Sequence, residues 1–197
     1  MFTVPAFAKI NWDLRVLGRR DDGFHEICTI FQTVSLCDYL TFNRADELTL
    51  TCDVSTVPVD ESNLVLKAAN ALREKFQIKK GAKIHLEKRI PSPGGLGGGS
   101  SNAAIALLAL SKLWEIEVSR DDLSSIGATI GADVPFFLYG GTAFGSGLGT
   151  RIETLPDVQK KLLLIVTPYE NVSTAEAYKS LNAPRLTVET ASSILHI

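Results

Sequence analysis

Pro91-Ser92-Pro93-Gly94-Gly95-Leu96-Gly97-Gly98-Gly99-Ser100-Ser101-Asn102 stands between a stretch of strand character and a stretch of helix character. Before it, Lys83 to Ile90 puts Ile84, Leu86 and Ile90 on one face and Lys83, His85, Glu87 and Arg89 on the other, which is the period of a strand. Pro91 ends that strand. After it, Ser100 to Trp114 carries Ala103, Leu107, Leu110 and Trp114 at helical spacing. Five glycines in the six positions from Gly94 to Gly99 leave almost no side chains to block a close backbone approach. Their amides join the free N–H groups at the start of the next helix, and together they make an anion site. Ser100 and Ser101 add hydroxyls for phosphate oxygens, or one of them for Mg²⁺. A flexible linker of the same composition would not be locked between an alternating strand and an amphipathic helix. The Walker A form is excluded, because no lysine precedes Ser100, and the Rossmann G-x-G-x-x-G does not register.

Outward from this loop, Phe2 to Leu17 reads as one or two strands, Arg19 to Gly23 as a polar turn, and Ile27 to Phe42 as strand-like runs. Glu47 to Cys52 alternates as a half-buried strand. Ser62 or Asn63 caps a helix running to about Lys75. Ser119 opens a capping-box pattern with Asp122, and the helix it starts runs to about Ile130, with Gly131 at its end. Phe136 to Ala143 and Lys161 to Thr167 read as strands, and Ala175 to Leu181 as a helix. The mixture lacks a regular βαβ rhythm, so the expected class is α+β. The expected division is a domain over 1–154 and the start of a second over 155–197.

The chain has 197 residues with 20 basic and 22 acidic side chains. A net charge of −2 provides no field for nucleic acid or an anionic membrane, so an anionic substrate has to be met by local design. Three cysteines, Cys28, Cys37 and Cys52, form no C-x-x-C pair and read as free thiols in a reducing compartment. No signal peptide and no transmembrane run is seen. The expected location is cytoplasmic, or the stroma in a plastid-bearing source.

Two further residues have readings from spacing alone. Asp133, before Val134-Pro135 and two phenylalanines, reads as a turn aspartate or as a partly desolvated general base. Lys9, in Ala6-Phe7-Ala8-Lys9-Ile10, reads as a strand-edge or solvated lysine.

Pro-x-x-Gly-Gly-Leu-Gly-Gly-Gly-Ser-Ser-Asn resembles the second motif of the GHMP kinases. Ala8-Lys9-Ile10-Asn11, Gly18-Arg19-Arg20-Asp21-Asp22-Gly23-Phe24-His25-Glu26 and Gly131-Ala132-Asp133-Val134-Pro135-Phe136-Phe137 narrow the resemblance to the diphosphocytidyl-methylerythritol kinases of non-mevalonate isoprenoid synthesis. It runs from about Ala6 to Leu181.

The resemblance implies a two-domain α+β fold with a left-handed βαβ unit. It also implies transfer of a phosphoryl group from ATP, with Mg²⁺, to a hydroxyl of a cytidine diphosphate-linked methylerythritol. Asp133 becomes the base that takes the hydroxyl proton. Lys9 becomes the neighbouring cation, which stabilises the ionised carboxylate and offsets charge on the moving phosphoryl. Pro91, Gly94 to Gly99, Ser100 and Ser101 become the phosphate cradle, with Ser100 a candidate Mg²⁺ ligand and Asn63 a contact to adenine. Asn11, Phe24, His25, Thr174 and Tyr178 become substrate contacts, the two aromatic rings facing cytosine and His25 reading its edge. The implied partners are this small molecule, with neither nucleic acid nor membrane, and the protein is expected as a monomer or homodimer.

Three departures from the family pattern are visible. Phe24 replaces a tyrosine, which keeps a π-face but loses a hydroxyl. Pro93 stands where relatives commonly carry glycine and removes one N–H. The family's third, C-terminal glycine motif is absent, so the expectation is a chain that stops inside its second domain.

Overall fold

In the computed structural model, residues 1–92, 94–167 and 174–187 are described. The reading at Pro93 lies outside them. The chain folds as α+β, in the order β1 (Phe2–Arg19), β2 (His25–Ala45), β3 (Leu48–Cys52), α1 (Leu64–Lys75), β4 (Gly81–Glu87), α2 (Gly98–Trp114), α3 (Arg120–Ile130), α4 (Val134–Tyr139), β5 (Thr142–Gly147), β6 (Arg151–Leu155) and α5 (Thr174–Ser180). Two compact units divide it. The first holds Met1–Ile10 and Thr33–Gly140; the second holds Asn11–Gln32 and the residues from Gly141 onward. Both long strands, β1 and β2, contribute to each unit.

In the first unit β4 is central. It runs parallel to β3, with Leu50 opposite Ile84, and antiparallel to the end of β2, with Phe42 opposite Ile84 and Tyr39 opposite Glu87. β3 and β4 are parallel, so a crossover must join them, and α1 supplies it. Asn63 starts α1 as expected: its Oδ1 accepts the Val65 N–H at 2.9 Å and its Nδ2 donates to the Pro58 carbonyl at 2.6 Å. Ser119 does the same for α3, accepting the Asp122 N–H at 3.0 Å.

The core joins the sheet residues Leu40, Phe42, Ile84 and Leu86 to Val65 and Leu72 of α1 and to Leu107, Leu110 and Trp114 of α2. The Trp114 indole N–H satisfies its polar end on the Gly81 carbonyl at 3.0 Å. Leu110 is fully buried. Leu110→Ala is expected to lower unfolding free energy by about 2–5 kcal/mol through lost burial and an unfilled cavity, read from urea titrations.

In the second unit β5 pairs antiparallel with the start of β2, Ile27 opposite Gly147 and Gln32 opposite Thr142, and β6 pairs with β5. A Cβ at Gly145 would lie 2.5 Å from the Phe31 ring, so glycine is what lets that buried ring lie across β5.

Three expectations are corrected. The strand expected over Phe136 to Ala143 is not one element: Val134–Tyr139 is helical, and β5 begins only at Thr142. Pro135 sits in the first turn of α4, where its missing N–H costs nothing. The strand expected to run to Ile90 stops at Glu87, because Lys88, Arg89 and Ile90 turn onto Asp38. Lys161 to Thr167 forms no strand; its Leu162, Leu164 and Val166 are exposed, and no strand among the described residues pairs with it. No helix among the described residues is long and apolar enough to cross a membrane.

Candidate active site

The first unit brings the glycine loop, Lys9 and Asp133 together. Leu96 is buried, and its carbonyl accepts the backbone N–H of Lys9 at 3.0 Å. Gly97 follows with φ +69°, and α2 begins at Gly98 with no side-chain cap. The first helical bond runs from the Ser101 N–H to the Gly97 carbonyl at 2.8 Å. The N–H groups of Gly98, Gly99 and Ser100 therefore head the helix with no capping side chain to satisfy them.

The glycines differ in what surrounds them. A Cβ on Gly97 would fall 2.7 Å from the Phe137 ring and 3.1 Å from Cγ of Lys9, and one on Gly98 would fall 3.1 Å from Nζ of Lys88. Around Gly95 the space is open. Pro91, Gly94, Gly95 and Gly99 are exposed, Ser100 is half-buried, and Ser101 is buried. A Cβ on Gly131 would lie 3.7 Å from the Ser100 hydroxyl, so the turn that carries Asp133 runs beside Ser100.

Lys9 is 6% exposed, and its ammonium lies 3.3 Å from Oδ2 of Asp133, whose side chain is 33% exposed. Asp133 stands at the head of α4 but makes no capping hydrogen bond with its side chain. Its carboxylate is thus held by the lysine and open to solvent on another side. A cation, a partly accessible carboxylate and a row of backbone donors are the parts that a phosphoryl transfer to a hydroxyl needs.

Sequence reasoning missed Asp38 and Lys88. Asp38 is fully buried. Its Oδ1 accepts the N–H groups of Arg89 and Ile90, both at 2.7 Å, and its Oδ2 lies 2.9 Å from the Lys88 ammonium, which also donates to the Ile90 carbonyl. A signal was present: Asp38 shares the inward face of β2 with Leu40 and Phe42, where an acid requires partners. Asp53 supports the same turn from outside, accepting the Lys88 N–H at 2.8 Å. That bond holds the Asp53 carboxyl below its usual value.

The second unit holds the other group of expected residues. The Arg20–Phe24 turn is closed by the Arg20 N–H to the Phe24 carbonyl at 2.8 Å and by the Phe24 N–H to Asp22 Oδ1 at 3.1 Å. Gly23 supplies the positive φ of +86°. The turn leaves Phe24 61% exposed. The bond from Arg20 holds the Asp22 carboxyl below its usual value. His25 opens β2 and stacks on Tyr178 of α5, ring centroids 5.3 Å apart and planes 27° apart. Thr174 begins α5. Asn11 donates from Nδ2 to the buried Thr29 hydroxyl at 2.7 Å, and that hydroxyl donates to the Asp13 carbonyl.

Residues 63–141 match the family model "GHMP kinases N terminal domain". The chain is 45% identical over 175 residues to a 4-diphosphocytidyl-2-C-methyl-D-erythritol kinase of Thermoanaerobacter pseudethanolicus, covering 89% of this chain and 60% of the relative. It is 42% identical over 195 residues to the enzyme of that name from a Shewanella species, covering 96% and 68%. A solved 4-(cytidine 5'-diphospho)-2C-methyl-D-erythritol kinase superposes with a TM-score of 0.74 at 36% identity, over 99% of this chain and 72% of that one. Homoserine kinase from Cytophaga hutchinsonii shares the fold alone, with a TM-score of 0.66 at 18% identity, over 96% of this chain and 64% of that one. This chain thus spans about 60% of the first of these relatives. A loop-headed helix, a lysine–aspartate pair and identity on this scale place the chain in the GHMP kinase family, among the relatives of the 4-diphosphocytidyl-2-C-methyl-D-erythritol kinases.

Proposed function

We propose that this protein transfers the γ-phosphoryl group of ATP to a hydroxyl of 4-diphosphocytidyl-2-C-methyl-D-erythritol. The observation that carries the reading is the Lys9–Asp133 pair at 3.3 Å, with the same lysine's backbone bonded to the glycine loop at Leu96. Asp133 accepts the proton of the acceptor hydroxyl. Lys9 stabilises the ionised carboxylate and the charge that builds on the transferred group. Direct in-line transfer asks for positioning and charge stabilisation, with no covalent enzyme intermediate.

The loop fits a nucleotide phosphate, since Gly97 has no room for a Cβ, Gly98 is tight against Lys88 and Ile90, and the helix they start has no side-chain cap. Pro91, Gly94 to Gly99, Ser100 and Ser101 form this cradle, and Asn63 stands ready for adenine with the amide hydrogen its cap leaves over. Magnesium takes few protein ligands beside substrate phosphates, and the half-buried Ser100 hydroxyl fits that sparse set. Bound magnesium would neutralise phosphate charge.

Of the two units, the one holding Met1–Ile10 and Thr33–Gly140 carries the ATP-binding residues, and the one holding Asn11–Gln32 and the residues from Gly141 carries the substrate contacts. The protein acts in the cytoplasm on a small molecule. The deciding experiment supplies ATP with the cytidine-linked methylerythritol or with methylerythritol phosphate alone. Phosphorylation confined to the former supports the reading; equal use of both removes the cytidine from it. ATP bound without turnover would leave nucleotide binding without catalysis.

Asn11, Phe24, His25, Thr174 and Tyr178 recognise the cytidine substrate. The His25–Tyr178 stack supports a base-recognition role, because an aromatic already aligned with the imidazole presents a flat surface for a ring. Tyr178→Ala is expected to raise KM for the cytidine substrate by roughly 5–150-fold, the scale of one lost stacking face. KM for ATP should hold steady. Steady-state kinetics with each substrate varied in turn checks this, and an unchanged cytidine KM removes Tyr178 from the site.

A further inference from the structure

We propose that Asp38 is a positioning residue for the phosphate-binding loop, setting the place of the first residue of α2 through Lys88 and Ile90. The inference rests on the reading of that loop as the ATP site. β4 leaves its ladder with β2 after Glu87, whose partner is Tyr39. From there the Asp38 carboxylate replaces the ladder, taking the N–H groups of Arg89 and Ile90 on one oxygen and the Lys88 ammonium on the other. Lys88 closes the turn by donating to the Ile90 carbonyl. Three consecutive residues are thereby wrapped on one buried charge just before Pro91.

The same two side chains meet the head of α2. A Cβ on Gly98 would be 3.1 Å from Lys88 Nζ and 3.1 Å from Cγ2 of Ile90. Ile90 is itself buried. Gly98 therefore rests on groups whose position Asp38 fixes, and Gly98 carries one of the first free N–H groups of the helix. A carboxylate with no route to solvent makes these bonds strong and their geometry exacting. A small shift of residues 88–90 moves the donors that face a phosphate, while Lys9 and Asp133 are held by bonds of their own.

Asp38→Asn tests this. The amide keeps one oxygen for the two N–H groups and turns an NH₂ toward the Lys88 ammonium. The variant is first shown to be folded by circular dichroism, and ATP is then titrated calorimetrically. ATP affinity should fall about 10-fold, the scale on which groups acting through another group work. KM for ATP should rise in step, with KM for the acceptor unchanged. Unchanged ATP affinity in a folded variant overturns the positioning role and leaves the nucleotide reading standing. A parent protein that binds no ATP overturns both.

If Asp38→Asn does not fold, Lys88→Met removes the bridge to Ile90 and leaves the carboxylate its two backbone partners. Hydrogen exchange at Arg89 and Ile90, whose N–H groups Asp38 accepts, and at Ser101, whose N–H makes the first bond of α2, should then quicken against an unchanged remainder. Unchanged exchange at those amides overturns the proposal.

Discussion

Asp133→Asn is expected to lower kcat by about 10²–10⁴-fold, the contribution of a positioned general base, while KM for either substrate changes little. The factor corresponds to about 3–5 kcal/mol of transition-state stabilisation. The substitution keeps the size of the side chain and removes its charge and its capacity to hold a proton. It spares the helix, since Asp133 heads α4 without a capping hydrogen bond from its side chain. A loss of activity through a weakened fold is therefore not expected, and the thermal midpoint should stay close to that of the parent. The pair with Lys9 at 3.3 Å is weakened at the same time, so part of the loss reflects a less well placed ammonium. Initial rates at saturating ATP and acceptor, set beside a melting curve, check the expectation. A near-normal kcat would remove Asp133 as the base.

The parts of this site that were legible in the sequence are local. Glycines in a row, a strand pattern before them and a helical pattern after them announce the loop, because each depends on neighbouring residues. Asn63 and Ser119 announce their helices for the same reason, their side chains bonding to backbone two or three residues on. The pairing of Lys9 with Asp133 is different. It joins β1 to the head of α4, and spacing alone left Lys9 a bland residue and Asp133 open between a turn aspartate and a base. Only resemblance to a family brought them together before the geometry did.

The misread stretches have physical reasons as well. In α4 Val134, Pro135, Phe136 and Leu138 are buried, and a short apolar run of this kind reads equally as a buried strand or a buried helix. Such a short helix has no room to display a 3.6-residue period, and Pro135 in its first turn was the better guide. The apolar run Leu162 to Val166 looks like a buried strand, yet a strand exists only where a partner offers a ladder. Asp38 was legible and passed over. An acid at the inward position of an alternating strand, two residues before Leu40 and four before Phe42, is a demand for buried donors, and here the donors belong to the residues that enter the loop.

Gly97→Ala is expected to cripple the protein, although it adds a single methyl group. Gly97 has φ +69°, which costs a residue with a Cβ roughly 1–2 kcal/mol. That strain alone is modest. The collision is larger: the new carbon would fall 2.7 and 2.8 Å from two atoms of the Phe137 ring and 3.1 Å from Cγ of Lys9. Phe137 packs edge-on against the buried Phe136, ring centroids 5.1 Å apart, so the ring cannot move without disturbing the core. Either the loop or Lys9 gives way, and both belong to the proposed site. A displacement near 1 Å in such a site costs on the order of 10²-fold in rate, so kcat/KM for ATP should fall by about that factor. Gly95→Ala isolates the cause. Its φ of +66° carries the same backbone strain, yet no atom lies within 4 Å of the added carbon. The expected result is a much larger loss for Gly97→Ala than for Gly95→Ala in kcat/KM for ATP, and a larger loss in thermal midpoint as well, because the collision adds to the shared backbone strain. Equal losses of activity would mean that glycine is needed for backbone freedom alone and that the contact of the loop with Lys9 has no part in the chemistry.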